Sequence, residues 1–304
     1  MKKLLLIINP RAGKSEIRAK LLDVIDIFFK GGYEVTVLTT QQPLDAARFA
    51  KERAPSFDII VACGGDGTLS ELVNGVMSVE NRPLLGYIPS GTTNDFAQSL
   101  SLPTSPVEAA VGIMEGVPMP LDVGVFNQCK YFAYVAAFGA FSDISYSTPQ
   151  NTKNFLGRGA YILEGMKSIP SIRPVKTICS YNGQCIEEDV IIGIVSNSSS
   201  VAGIHLMNMP DGSLSDGLLE VTIVRQPKTV AESGEIVTTV LTGDLEAAQK
   251  AILTFKANAI TFEFARETAW TLDGEYGGAV ARAEIGIQPK AISVVANHPE
   301  LTAE

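Results

Sequence analysis

Hydrophobic and polar positions follow one pattern over the first 125 or so residues of the chain and another beyond them. Leu4–Ile8 is apolar throughout and reads as a buried strand, whereas Ile17–Phe29 carries Ile17, Leu21, Leu22, Val24, Ile25, Phe28 and Phe29 at helical spacing. Tyr33–Leu38 predicts a second strand, Leu44–Arg53 a helix and Asp58–Cys63 a third, apolar strand. Thr68–Met77 follows as a helix, Leu84–Ile88 as a strand, and Asn94–Leu100 and Pro106–Glu115 as helices. Continuously apolar strands alternating with helices imply a parallel sheet covered on both faces.

Beyond Leu121 the period changes. Short alternating stretches predict strands over Tyr131–Ala137, Val175–Tyr181, Val190–Ser196, Leu218–Val224, Ala259–Phe264, Ala269–Leu272 and Ala281–Ile287. Helical patterns near Gly159–Lys167 and Thr229–Leu241 interrupt them, so this half reads as an antiparallel, β-rich second domain. The last apolar run, Ala291–Ala296, fits either domain.

Composition narrows the class. With 304 residues, 46% hydrophobic and 19% charged, the chain buries a substantial core, and disorder is excluded. The balance of 24 Lys and Arg against 33 Asp and Glu, net −9, argues against a general nucleic-acid binder or permanent attachment to anionic lipid by overall charge. No apolar run reaches the roughly 20 residues that a membrane-spanning helix needs. The opening Met1-Lys2-Lys3 leads into only five apolar residues before Asn9-Pro10, too few for a signal-peptide core, so a cytoplasmic protein is expected.

Cys63, Cys129, Cys179 and Cys185 show no C-x-x-C spacing. Asn182-Gly183 signals a two-residue hairpin that sets Cys185 opposite Ser180 and Cys179 opposite Ile186, which argues against a disulfide. With only His205 and His298, zinc centres of the HExxH type and Ser-His-Asp triads have little to draw on.

Three loops at successive strand ends carry the candidate chemistry, where open α/β sheets bind ligands. Asn9-Pro10-Arg11-Ala12-Gly13-Lys14-Ser15 ends like a Walker A loop, but position 8 is Ile where that motif needs Gly. Its backbone N–H groups still suit a phosphate, and an ordinary strand–helix turn is equally open. Gly64-Gly65-Asp66-Gly67-Thr68 supplies three glycines for close approach and positive φ; Asp66 repels bare phosphate unless Mg²⁺ or a hydroxyl intervenes. The third loop, Pro89-Ser90-Gly91-Thr92-Thr93-Asn94-Asp95-Phe96-Ala97, is dense in hydroxyls and amides, with Asn94 or Asp95 expected to cap the helix that follows.

Together, Asn9-Pro10-x-x-Gly13, Gly64-Gly65-Asp66-Gly67-Thr68 and Gly91-Thr92-x-Asn94-Asp95-Phe96-Ala97 resemble the diacylglycerol kinase catalytic-domain family, which is related to sphingosine kinases and NAD kinases. The likeness continues through Leu121-Asp122-Val123-Gly124, Ser215-Asp216-Gly217-Leu218 and Leu272-Asp273-Gly274-Glu275, nearly the whole chain.

The resemblance implies an α/β N-terminal domain with a parallel sheet, NAD kinase- or phosphofructokinase-like, over 1–125 and completed by 288–304. It also implies an antiparallel β-sandwich-like lipid-substrate domain over 126–287. ATP would lie in the cleft between them, touching Asn9, Pro10, Arg11, Ala12, Gly13, Thr40, Gly65, Asp66, Gly67, Thr68, Leu69, Ser70, Glu71 and Thr92. Asp66, Asp95 and Asp122 would organise catalytic Mg²⁺ and water. Glu275 would be the general base, with Asp66 in reserve, and a structural Mg²⁺ would sit on Asp216 with Ser213 and Leu218. Ala12 departs from the family's frequent Ser and removes one hydroxyl.

The implied reaction is ATP-dependent phosphorylation of the primary hydroxyl of diacylglycerol to phosphatidic acid. A kinase of another lipid alcohol or a sphingoid base, and a nucleotide-binding regulator without turnover, are the alternatives. Three acids at strand ends suit hard Mg²⁺ rather than zinc, and phosphoryl transfer asks chiefly for positioning and charge neutralisation. Asp273-Gly274-Glu275 taken alone reads as a hairpin turn.

Between Tyr146 and Lys176 stand five bases, Lys153, Arg158, Lys167, Arg173 and Lys176, against one acid, Glu164, a local +4 interleaved with apolar residues. Such a segment suits transient docking at the inner face of the membrane, and equally a solvated helix. Exposed edge strands of the second domain would permit a homodimer.

Overall fold

Five consecutive apolar residues leave no face for water, and Leu4–Ile8 is buried on both sides. In the computed structural model β1 (Lys2–Ile8) lies between β2 (Tyr33–Thr39) and β3 (Ile59–Gly64), parallel to both. β4 (Leu84–Pro89) continues the parallel run beside β3, and the end of β13 (Glu275–Ala296) joins β4 at Val294, also in parallel. The structure describes residues 1–13, 16–140, 172–197, 213–242, 248 and 250–296. The chain divides into two compact units, Met1–Val123 with the returning chain from Pro289, and Gly124–Gln288.

In the first unit, α1 (Glu16–Lys30) and α5 (Pro106–Glu115) pack together over Leu4, Leu6, Ile8, Ile59, Val61 and Cys63. α2 (Asp45–Arg53) packs on α3 (Asp66–Met77), which lies against β3, and the short α4 (Asp95–Ser99) follows β4. Gly75 lets α2 and α3 meet closely: a Cβ there would stand 2.7 Å from Cβ of Ala50.

The described strands of the second unit pair antiparallel. It holds the end of β5 (Val117–Phe126), β6 (Lys130–Phe132), β7 (Val135–Gly139), β8 (Val175–Tyr181), β9 (Gln184–Ser196), β10 (Leu219–Arg225), β11 (Ile252–Ala257) and β12 (Ala259–Leu272), with the first part of β13. β9 and β12 are long enough to change partner along their length. Each pairs with β8 at one end and β7 at the other, so β7, β9, β8 and β12 close a ring. β10 and β11 extend it from β9. Phe138 sits at the centre, its ring centroid 4.8 Å from Trp270, 4.9 Å from Phe264 and 5.4 Å from Phe262. Burial of such rings contributes about 2 kcal/mol or more each. α6 (Val230–Thr242) lies with Ile191, Val224 and Ile252 in a smaller cluster through Ile236.

Several element boundaries differ from the pattern-based expectation. Tyr131–Ala137 is two strands, because the N–H groups of Ala133, Tyr134 and Val135 turn to the carboxylate of Asp273. Conversely, Ala259–Phe264 and Ala269–Leu272 are one strand with a register shift between Glu263 and Thr268, and Ala281–Ile287 and Ala291–Ala296 are both parts of β13. β11 escaped the pattern altogether. The predicted helix over Gly159–Lys167 and most of the basic segment, including Lys153, Arg158 and Lys167, lie outside the described residues, as do Lys14, Ser15 and both histidines. Lys176 pairs with Glu187 at 2.7 Å. The hairpin register sets Cys179 opposite Ile186 and Cys185 opposite Ser180, and all four thiols are free.

Candidate active site

Parallel pairing delivers three loops of the first unit side by side. Asn9 N–H donates to the Cys63 carbonyl at 2.8 Å and Ser90 N–H to the Gly64 carbonyl at 2.8 Å, so the loops after β1, β3 and β4 leave the sheet together. The Asn9 side chain spans the first two. Its Nδ2 donates to Thr68 Oγ1 at 3.2 Å, and its Oδ1 accepts from Arg11 N–H at 3.0 Å. Ala12 N–H closes the turn onto the Asn9 carbonyl at 3.2 Å, following Pro10. Gly13 has φ +52° and lies against the Ser90 carbonyl, where a side chain would collide. Thr40 N–H extends the ladder to the Ile8 carbonyl at 2.9 Å.

Positive φ, expected of the glycine-rich second loop, is not what those glycines supply. Gly64, Gly65 and Gly67 all avoid the left-handed region, and Gly65 has φ −89°. Their use is proximity: a Cβ on Gly91 would stand 2.6 Å from Cα of Gly65. The second and third loops therefore meet backbone to backbone at the start of α3, whose N-cap is Gly65 and which no side chain caps.

The capping of α4 also departs from expectation. Asn94 occupies the N-cap position with φ +53°, which aims its side chain back at Gly91, accepting from its N–H at 2.9 Å and donating to its carbonyl at 3.0 Å. The cap comes from Asp66 instead. Its carboxylate accepts the N–H of Asp95 at 3.2 Å and of Phe96 at 3.3 Å. Asp95 is buried, and Asp122, 1% exposed, accepts the N–H of Lys290 at 2.6 Å. Among the described residues no group of three or more His, Cys, Asp or Glu side chains stands where a metal ion could be held.

Two further residues join the loops. Tyr87 is buried on β4, with its hydroxyl 3.2 Å from the Gly64 carbonyl and 3.3 Å from Asn94 Oδ1, so it ties both loops from below. Burial, then the charges of Asp66, Cys63 and Asp95, holds this phenol well above its ordinary range. A tyrosine in an otherwise apolar strand was the signal, since a buried hydroxyl needs partners. Glu71, predicted to touch nucleotide, accepts the N–H of Leu44 at 2.8 Å and of Ala46 at 3.0 Å, holding the start of α2. Leu69 and Ser70 are buried on α3, Thr68 faces Asn9, and Thr92 is exposed. Cys63 is no nucleophile: burial pushes its thiol up to about 12.

In the second unit, Asp273 and Gly274 form a two-residue hairpin with φ +50° and +83°, the positive pair that matches the strand twist. Asp273 is 3% exposed and accepts three backbone N–H groups, from Ala133 at 2.8 Å, Tyr134 at 3.0 Å and Val135 at 3.1 Å. Glu275 leaves this fixed turn as the first residue of β13, with its side chain exposed. Beyond it, the register shift and Gly278 at φ +112° bend the strand, and Lys130 Nζ holds the Gly277 carbonyl at 2.6 Å.

Residues 3–126 match the diacylglycerol kinase catalytic domain, and residues 140–296 match the YegS C-terminal NAD kinase beta sandwich-like domain. A diacylglycerol kinase of Bacillus subtilis (strain 168) is 38% identical over 91% of this chain and 91% of its own length. The chain belongs to the diacylglycerol kinase family. A diacylglycerol kinase of Staphylococcus aureus (strain bovine RF122 / ET3-1) is 35% identical over 90% of this chain and 86% of its own. The crystal structure of a diacylglycerol kinase from Bacillus anthracis str. Sterne superposes with a TM-score of 0.81 at 26% identity, covering 99% of this chain and 98% of that one. Membership of this family makes the protein a lipid kinase and an enzyme, built from the family's two domains.

The structural Mg²⁺ that the family pattern implies meets an occupied carboxylate here. Asp216 follows a 3-10 turn, Ser213–Ser215, and its Oδ1 accepts the Leu218 N–H at 2.9 Å. Its Oδ2 lies 3.2 Å from Lys256 Nζ. A lysine ammonium already pairs with the carboxylate that the ion would use, so these residues do not fit a bound divalent ion.

Proposed function

We propose that this enzyme transfers the γ-phosphoryl group of ATP to the primary hydroxyl of diacylglycerol, giving phosphatidic acid and ADP. The observation that carries the reading is the meeting of Gly65 and Gly91 at the uncapped start of α3. Backbone free of side chains beside a helix N-terminus suits a polyphosphate, which needs N–H donors and close approach. The acceptor follows the names of the family's relatives.

In this reading Asn9–Gly13, Thr40, Gly65–Glu71 and Thr92 line the nucleotide, with Leu69, Ser70 and Glu71 acting through the backbone they hold in place. Mg²⁺ bound to ATP would neutralise charge on the transferring group. Asp66, Asp95 and Asp122 would orient that ion through its water shell rather than hold it together as a cluster, since a carboxylate oxygen accepting one N–H keeps a second lone pair. As the acceptor oxygen bonds to phosphorus and the bond to ADP breaks, the Glu275 carboxylate takes the acceptor's proton. The enzyme works transiently at the inner face of the membrane, where its lipid acceptor lies.

The test is label transfer from γ-labelled Mg-ATP to diacylglycerol in mixed micelles containing phosphatidylglycerol, with Glu275→Gln beside the wild type. Labelled phosphatidic acid from the wild type, lost in the variant, supports the reading. Labelling of another lipid in a total extract, with none on diacylglycerol, overturns the acceptor. Full activity of the variant overturns the base.

A further inference from the structure

Glu220 is a carboxylate placed where carboxylates are rarely found. It sits on β10 with a side chain 2% exposed, and no hydrogen bond from the described residues reaches its Oε2. Directly opposite on β11 stands Lys256, whose Nζ is 2.8 Å from Glu220 Oε1 and 3.2 Å from Asp216 Oδ2. One ammonium therefore serves two carboxylates, one buried and one at the turn that leads into β10. A carboxylate buried this deeply is disfavoured in its charged form, so the Lys256 ammonium beside it is what lets Glu220 stay ionised.

We propose that Lys256 is the built-in cation of this site, standing where the family pattern implies a divalent ion, so that the second unit of this chain folds here without metal. Three features place it there. Cross-strand pairing fixes Lys256 opposite Glu220 by register rather than by chance contact. The Asp216 side chain is held by the Leu218 N–H, which points its other oxygen at the ammonium. The two acids and one lysine leave a net −1, with the Lys256 side chain partly exposed above the buried Glu220 carboxylate it pairs with. Removing the lysine leaves two carboxylates converging with no cation, an all-oxygen donor pair suited to Mg²⁺ or Mn²⁺. The inference concerns stability and does not rest on the nucleotide or acceptor assigned above.

The experiment is thermal unfolding of the full chain in excess EDTA and in millimolar MgCl₂ or MnCl₂, for the wild type and Lys256→Met. The wild type should melt at the same temperature in all three. The variant should melt roughly 5–10 °C lower in EDTA and recover most of the loss with either metal. A wild type stabilised by the metals as much as the variant overturns the proposal. So does a variant that melts like the wild type in EDTA, or one that the metals do not rescue. If Lys256→Met does not fold in EDTA, Glu220→Gln combined with Lys256→Met removes charge from both strands. Restored folding of that pair supports the built-in cation, and failure to fold overturns it.

Discussion

The carboxylate of Asp66, in the first turn of α3, caps the helix that begins at Asp95 by accepting the N–H groups of Asp95 and Phe96. One side chain thus sets the relative position of two loops assigned to phosphate and metal chemistry. Asp66→Ala should lose about 1 kcal/mol of stability, the usual worth of a cap. Asp66→Asn keeps an acceptor and should lose less. Both should lose roughly 100-fold in kcat, since neither supplies charge. Urea unfolding set beside steady-state kinetics separates the two roles. Equal activity in Asp66→Asn and wild type would show that only the cap matters.

Tyr87 offers a cleaner separation, because its ring and its hydroxyl do different work. The ring packs edge-on to Phe96 with centroids 6.1 Å apart, and the hydroxyl reaches Gly64 and Asn94. Tyr87→Phe keeps the ring and should cost about 1 kcal/mol for the lost hydrogen bonding. Looser loops should raise KM for ATP several-fold while KM for the lipid stays put. A variant with both constants unchanged would remove Tyr87 from the positioning of the nucleotide loops.

How much of this was legible in the sequence follows from how local each cause is. The alternation of β1 to β4 with helices is written in short apolar runs such as Leu4–Ile8, because a strand buried on both faces needs every position apolar. The Asp273-Gly274 and Asn182-Gly183 turns are equally local, as positive φ at two adjacent residues demands such pairs. The break between β6 and β7 was not legible, since the Asp273 carboxylate that causes it lies far along the chain. In β12, Ala265, Arg266 and Glu267 interrupt the apolar alternation, so one long strand reads as two. Motif residues were found by type, but their duties were not. Glu71 holds the start of α2 and Asp66 caps α4, and both depend on which loops the sheet sets side by side.

Asp273 should matter to catalysis without touching substrate. It holds Ala133, Tyr134 and Val135 through their N–H groups and thereby fixes the turn from which Glu275 departs. Asp273→Ala leaves three buried donors unsatisfied and should cost roughly 3 kcal/mol, while Asp273→Asn, retaining one oxygen, should cost less. If the turn positions Glu275, kcat should fall in the order wild type, Asn, Ala, with KM for ATP unchanged. A drop in stability with kcat intact would leave Asp273 a structural residue alone.

Asp45 predicts the acid limb of stability in the first unit. The Arg48 guanidinium beside it, with the N–H groups of Gln41 and Gln42, holds its carboxyl from the ordinary 3.8 down to about 2. The folded chain thus binds this proton less readily than the unfolded chain. Its contribution is complete above 3.8, shrinks as pH falls below that value and is gone below about 2. Asp45→Asn should be less stable than wild type near neutral pH, and the gap should close as pH falls through that window. Urea midpoints taken at intervals across it measure the gap directly. A gap independent of pH would mean that the Asp45 charge is not what holds Gln41, Gln42 and Arg48 together.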